Sequence, residues 1–150
     1  MPKLRDIPLA DAAVARSGTF SDAARALLDH GLPGIAVLDE ERRPIGVFTD
    51  DDLLRGLFPR YLGELRHTAF LEDTPAALEA RLESVAAEPV TEHMQDVVCV
   101  DVATAPIHVA EKFLHTEWGA VAVVEQGRFL GMLDQLAFCR AVMAGRADAG

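Results

Sequence analysis

Thr49 and Asp52 stand three residues apart, where the segment Pro44-Ile45-Gly46-Val47-Phe48 gives way to Asp50-Asp51-Asp52-Leu53-Leu54-Arg55. The β-branched and aromatic content of the first segment predicts a strand, and the second predicts a helix opened by Thr49. A strand that ends at a helix N-terminus makes a site. The first helical turn carries free N–H groups and a partial positive charge, which suit an anionic ligand. Thr49 offers a hydroxyl, and the Asp52 carboxylate can hold a pair of vicinal hydroxyls such as those of a ribose. The same four residues also spell a capping box, in which Thr49 and Asp52 merely satisfy orphan backbone donors. The pattern is compatible with both.

Other groupings carry less chemistry. His108, Glu111 and His115 are spaced to share one helix face, with Ala110, Phe113 and Leu114 on the opposite, core-facing side. Two imidazoles and a carboxylate suit Zn²⁺, but no fourth ligand is evident, so a solvated or dimer-facing surface is the preferred reading. Asp39-Glu40-Glu41 and Asp50-Asp51-Asp52 offer carboxylates for Mg²⁺, with solvated acidic surface again preferred. Cys99 and Cys139 lack metal spacing and read as buried, reduced thiols. Trp118 reads as a core anchor, with an aromatic wall for a base as the less favoured role. His67 and His93 have no catalytic partner that the sequence can place. There is no nucleophile elbow, P-loop or G-x-G-x-x-G, so an enzyme is not expected.

The elements that must position Thr49 and Asp52 belong to a chain of 150 residues, half hydrophobic and a quarter charged, which predicts a folded chain rather than a disordered one. The net charge of −10 argues against nucleic-acid and anionic-membrane partners. No apolar run reaches the length of a membrane span, and the first residues lack a secretory h-region, so a soluble cytoplasmic protein is expected.

One unit occurs twice. At an offset of 86, Ala24, Leu28, Ala36 and Val37 meet Ala110, Leu114, Ala122 and Val123. One residue is lost in the turn Asp39–Arg43, and at an offset of 85 Arg43, Gly46 and Arg55 meet Arg128, Gly131 and Arg140. The first copy predicts an edge strand 12–15, a helix 21–30 capped by Ser21 and stopped by Gly31, strands 34–38 and 45–48, and a helix 50–57. The second predicts a strand 97–100, a helix 107–116, strands 120–124 and 129–133, and a helix 135–144. The order β-α-β-β-α, twice, predicts an α+β fold in which two repeats share a core. Between them, Pro59–Asp73 reads as loop or short helix. Thr74-Pro75 then opens a helix with Leu78, Leu82 and Val85 on one face, ended by Pro89.

The double unit resembles a tandem pair of CBS domains, the regulatory module named after cystathionine β-synthase. The resemblance rests on Ala36–Asp39 (AVLD) with Gly46–Asp52 (GVFTDDD), and on Ala122–Glu125 (AVVE) with Gly131–Ala137 (GMLDQLA). It divides the chain into repeats at 8–57 and 94–144 joined by a connecting segment, 58–93, that contains a helix, and it implies a pseudo-twofold pair. It also implies a homodimeric sensor that binds an adenosine-containing ligand (AMP, ADP, ATP, S-adenosylmethionine or NAD) between the repeats and acts on an effector protein. By resemblance, Asp52 holds the ribose, Thr49 faces phosphate or sugar, Gly34, Ile35 and Ala36 border the adenine, and Ala13, Val14 and Ala15 lie nearby. Three departures matter. Ala36 and Ala122 replace the family's middle-strand proline. Asp134 and Ala137 replace Thr and Asp in the second copy, so that cleft is expected to be empty or repurposed. Asp50 and Asp51 are acidic where the family often has a base, so a ligand touching Asp51 should carry little negative charge or bring Mg²⁺. No cofactor is required by this reading. Its alternative is a ligand-free dimerisation or scaffold module in which Thr49 and Asp52 survive only as a cap.

Overall fold

The structure, a computed structural model, describes residues 2–58 and 75–149. In the first repeat, β1 (Ala13–Ala15) leads to α1 (Phe20–His30), β2 (Gly34–Leu38), β3 (Pro44–Thr49) and α2 (Asp50–Leu57). Helix α3 (Pro75–Ala86) follows. The second repeat runs β4 (Cys99–Asp101), α4 (Pro106–His115), β5 (Ala120–Glu125), β6 (Arg128–Asp134) and α5 (Gln135–Ala149). Each repeat forms a three-stranded sheet in which the middle strand pairs parallel with the edge strand and antiparallel with the hairpin partner.

The middle strands are buried along their length because each sheet is covered on both faces. Helices cover one face and the other repeat covers the other, β2 lying against β5 and β6. A core built from Ala36, Val47, Phe48, Ala120, Ala122 and Met132 therefore belongs to both repeats. The expected mixed α+β architecture of a paired repeat is what the chain forms.

The lead-in of each repeat packs on the other. Ala10 exchanges both backbone hydrogen bonds with Met132 of β6 (3.0 and 2.7 Å), and Gln95 does the same with Val47 of β3 (2.9 and 2.8 Å). The two crossings are the same event at an offset of 85. Leu4 and Ile7 accordingly sit in the core of the second repeat, and Val85 and Val90 in that of the first. Glycine is needed where the crossings pass. A Cβ on Gly46 would stand 2.4 Å from the Met94 sulfur, and one on Gly131 2.5 Å from Leu9 Cβ.

Several local expectations are corrected. The N-cap of α1 is Thr19, not Ser21, because Thr19 has the acid its box needs. Its Oγ1 accepts from the Asp22 N–H at 3.1 Å, and its own N–H donates to Asp22 at 3.0 Å. The Thr19 N–H foremost, and then the Thr19 side chain, hold the Asp22 carboxyl below the usual carboxylate range. Gly31 does stop α1, with φ of +62°. The shorter second hairpin turns on Gln126 and Gly127, both at positive φ, which a two-residue hairpin loop demands. Leu114 is 82% exposed rather than core-facing, because Val109 and Phe113 carry the buried face of α4. Cys99 and Cys139 are exposed free thiols: Cys99 is an outward position flanking buried Val100, and Cys139 follows buried Phe138 on α5. Val85 is the buried residue of α3, whereas Leu78 and Leu82 stay about two-fifths exposed. The expected loop over Pro59–Asp73, the Thr74 cap and His67 lie outside the described residues.

Candidate functional site

Strand β3 ends at Thr49 and α2 begins at Asp50, as the sequence requires. Thr49 and Asp52 are both buried, at 3% and 4% exposure, although both are polar. That burial is offset by a closed set of hydrogen bonds. Asp52 Oδ2 accepts from the Thr49 N–H (2.9 Å) and from the Thr49 hydroxyl (2.9 Å), while the Asp52 N–H donates to Thr49 Oγ1 at 3.2 Å. Asp52 Oδ1 accepts from Gln95 Nε2 at 2.7 Å. Thr49 and Asp52 thus form a complete capping box, and Gln95, delivered by the crossing of the second repeat's lead-in, occupies the remaining carboxylate oxygen.

A cavity of about 300 Å³ opens on this N-terminus. Thr49, Asp50, Asp51, Asp52 and Arg55 form one wall with Pro33 and Gln95, and Glu117, Trp118 and Gly119 of the second repeat form the other. It therefore lies between the repeats. The two walls are built alike: the Asp50 N–H donates to Pro33 O (3.1 Å), and the Gln135 N–H donates to Gly119 O (2.9 Å). The lining carries four carboxylates and, among its described residues, the single cation Arg55. Arg42 and Arg43, in the turn between β2 and β3, pair instead with Asp11 (3.7 Å) and Glu41 (3.3 Å).

Of the residues singled out in the sequence, Thr49, Asp51 and Asp52 line the cavity. Gly34 pairs with Thr49 in the β2–β3 ladder, directly behind the wall. Ile35 and Ala36 are fully buried in the core, and Ala13, Val14 and Ala15 pair with β2 along its other edge. These six are not among the lining residues. Trp118 packs against the shared core and borders the cavity as well. Its buried Nε1–H has no hydrogen-bond acceptor among the described residues. Sequence reasoning missed Gln95 and Glu117. The repeat offset makes Gln95 the equivalent of Ala10, but carries no sign of its contact with Asp52.

The matching corner of the second repeat differs. Asp134 caps α5 itself, accepting from the Ala137 N–H at 2.6 Å, and Ala137 brings no carboxylate. His108, Glu111 and His115 lie on the exposed face of α4, with His108 Nδ1 3.8 Å from Glu111. His93, for which the sequence offered no partner, has one in Glu88, at 2.7 Å.

Against known proteins, the family model described as CBS domain matches residues 4–58 and again 90–144. No curated protein matches in sequence. Solved structures share the fold. A CBS domain-containing protein of unknown function from Kribbella flavida is 20% identical, with 95% of this chain and 99% of that one covered and a TM-score of 0.77. The CBS-pair protein CBSX2 from Arabidopsis thaliana is 21% identical, with 97% and 96% covered and a TM-score of 0.73. A structure of CBSX2 in complex with AMP is 20% identical, with 97% and 99% covered and a TM-score of 0.69. With the family model matched twice and the paired sheets built as described, this chain belongs to the CBS domain family, of which it carries two copies.

Proposed function

We propose that the chain is a regulatory sensor that binds an adenosine-containing ligand in the cavity beside Thr49 and Asp52 and passes its occupancy to an effector protein. The observation that carries this reading is the cavity itself, set between the repeats over the α2 N-terminus. The AMP bound to the similar protein CBSX2 supports the ligand class. At about 300 Å³ the cavity stands at the small end of ligand pockets, which favours a nucleoside or mononucleotide over NAD. Asp50, Asp51 and Glu117 outnumber Arg55, so adenosine, AMP or a nucleotide neutralised by Mg²⁺ suits it better than metal-free ATP. The indole N–H of Trp118 is a buried donor that a ligand acceptor would satisfy. Regulation would follow by population shift: the ligand favours one relative arrangement of the repeats by no more than its differential affinity for the two. The setting we propose is the cytoplasm, and no catalytic role.

Gln95 bears directly on the test, because a ribose must displace it from Asp52 Oδ1. Gln95→Ala should therefore bind AMP about tenfold more tightly than the wild type, as expected for release of a hydrogen bond to a charged group. Isothermal titration with adenosine, AMP and ATP, with and without Mg²⁺, measures this. Tightest binding by metal-free ATP would contradict the charge argument.

A second reading, a ligand-free scaffold, is favoured by one observation: the hydrogen bonds of Asp52 are complete without any ligand. Both readings propose a homodimer, supported by Leu28 and Leu114, equivalent positions on α1 and α4 that are 69% and 82% exposed. Sedimentation equilibrium should give twice the chain mass. Leu28→Glu with Leu114→Glu should reduce it to one chain mass, and an unchanged dimer would place the interface elsewhere.

A further inference from the structure

We propose that Glu88, Glu92 and His93 form a site for a borderline divalent cation of the Zn²⁺ type, within the segment that joins the repeats and where that segment packs on the first of them. The three side chains offer one nitrogen and two carboxylate oxygens that all lie within 4.8 Å of one another. They converge because a short 3-10 turn, Val90–Glu92, brings Glu92 and His93 back under Glu88. The turn is held in place by the first repeat. The Phe20 N–H donates to Glu88 O at 2.8 Å, and the Val90 N–H donates to Gly18 O at 3.0 Å.

The imidazole is pre-positioned. Its ring packs edge-on against Phe20, with centroids 4.9 Å apart, and its side chain is only 17% exposed. Nε2 points at Glu88 Oε2, 2.7 Å away. Glu92 approaches the same point from the solvent side. Among the described residues its carboxylate has no hydrogen bond or ion pair, and it lies beside a second carboxylate that repels it. A cation at the centre reverses that repulsion. Zn²⁺ bonds to imidazole nitrogen and carboxylate oxygen at about 2.0–2.2 Å, so small side-chain rotations suffice, and water completes a four-coordinate shell. Mixed nitrogen and oxygen ligands suit Zn²⁺ and its transition-metal neighbours better than Ca²⁺ or Mg²⁺, which take oxygen ligands. The site is separate from the cavity at Thr49, and none of its three residues lines that cavity.

The test titrates Zn²⁺ into the metal-free full chain by calorimetry, with Co²⁺ absorption as an independent report of a bound nitrogen ligand. The wild type should bind one ion per chain and unfold at a higher temperature with it. Loss of an outer-shell partner alone costs 10–100-fold in metal affinity. Glu92→Gln, at an exposed position, and His93→Phe, which keeps a ring against Phe20, should therefore each weaken binding by at least about tenfold. His108→Ala on the exposed face of α4 should leave it unchanged. The proposal is overturned if no ion binds at about 10⁻⁴ M, where the weakest class of calcium modules begins, or if the ion binds equally well to both variants.

Discussion

Asp52→Ala is expected to lower the unfolding free energy by about 1–3 kcal/mol and to abolish stabilisation by AMP. The Asp52 carboxylate accepts the Thr49 N–H, the Thr49 hydroxyl and the Gln95 amide inside a site that is 4% exposed. Alanine leaves the buried Thr49 N–H without an acceptor, whereas the Gln95 amide, exposed at the cavity, can turn to water. It also removes the N3 half of the box, while the Thr49 hydroxyl continues to cap the Asp52 N–H. The loss is therefore that of a partly broken cap plus one stranded donor. Asp52→Asn separates structure from binding. Its amide oxygen can still accept from Thr49, and a flipped Gln95 amide can meet its nitrogen, so the fold should lose less than with alanine. The charged acceptor for a ribose pair is nevertheless gone. Urea unfolding of the three proteins, with and without AMP, reads both effects.

Gly56→Ala should destabilise the fold by about 1–3 kcal/mol, although alanine is the better helix former by roughly 1 kcal/mol. A Cβ at residue 56 of α2 would stand 2.2 Å from Phe20 Cε2 and 2.4 Å from Cζ. The Phe20 ring cannot withdraw. It is 2% exposed, packs edge-on to Phe48 at 5.5 Å, and meets His93 on another side. Helix α2 must then move outward, and its N-terminus carries the wall of the cavity. Phe20→Leu in the same chain should recover part of the loss, since a smaller side chain frees the space that the methyl needs. Denaturant midpoints of the single and double variants measure the coupling. A stabilised Gly56→Ala would mean that α1 and α2 are not packed as described.

Much of this architecture was legible because it is written twice. The repeat offset predicted the order of elements, and Gly46 with Gly131 marked equivalent places in both sheets. Helix α2 was readable to its ends because Thr49 announces its start. The same signature, Thr19 with Asp22, stood at the start of α1, but Ser21 drew the reading as the residue nearer the helical run. The crossings of the lead-ins were not legible. Ala10 and Gln95 pair with strands far away in sequence, and a single backbone bridge leaves no periodicity. For the same reason Gln95 was missed as the partner of Asp52, and Glu117 as part of the wall. The solvent-facing placement of Leu114 follows from the geometry of α4, where Val109 and Phe113 fill the buried stripe. The exposure of the two cysteines likewise depends on which side of β4 and α5 is covered, and composition does not report this. The candidate site was legible at Thr49, Asp51 and Asp52, the residues contributed by one continuous stretch. Its other wall comes from the second repeat.

The central claim is that Asp52 grips a ligand as well as capping α2. Calorimetric titration of AMP into the wild type, Gln95→Ala and Asp52→Asn tests it most directly. The account predicts one AMP per chain in the wild type, tighter binding in Gln95→Ala, and none in Asp52→Asn while that variant remains folded. AMP bound equally well by folded Asp52→Asn, or bound by none of the three, would contradict it.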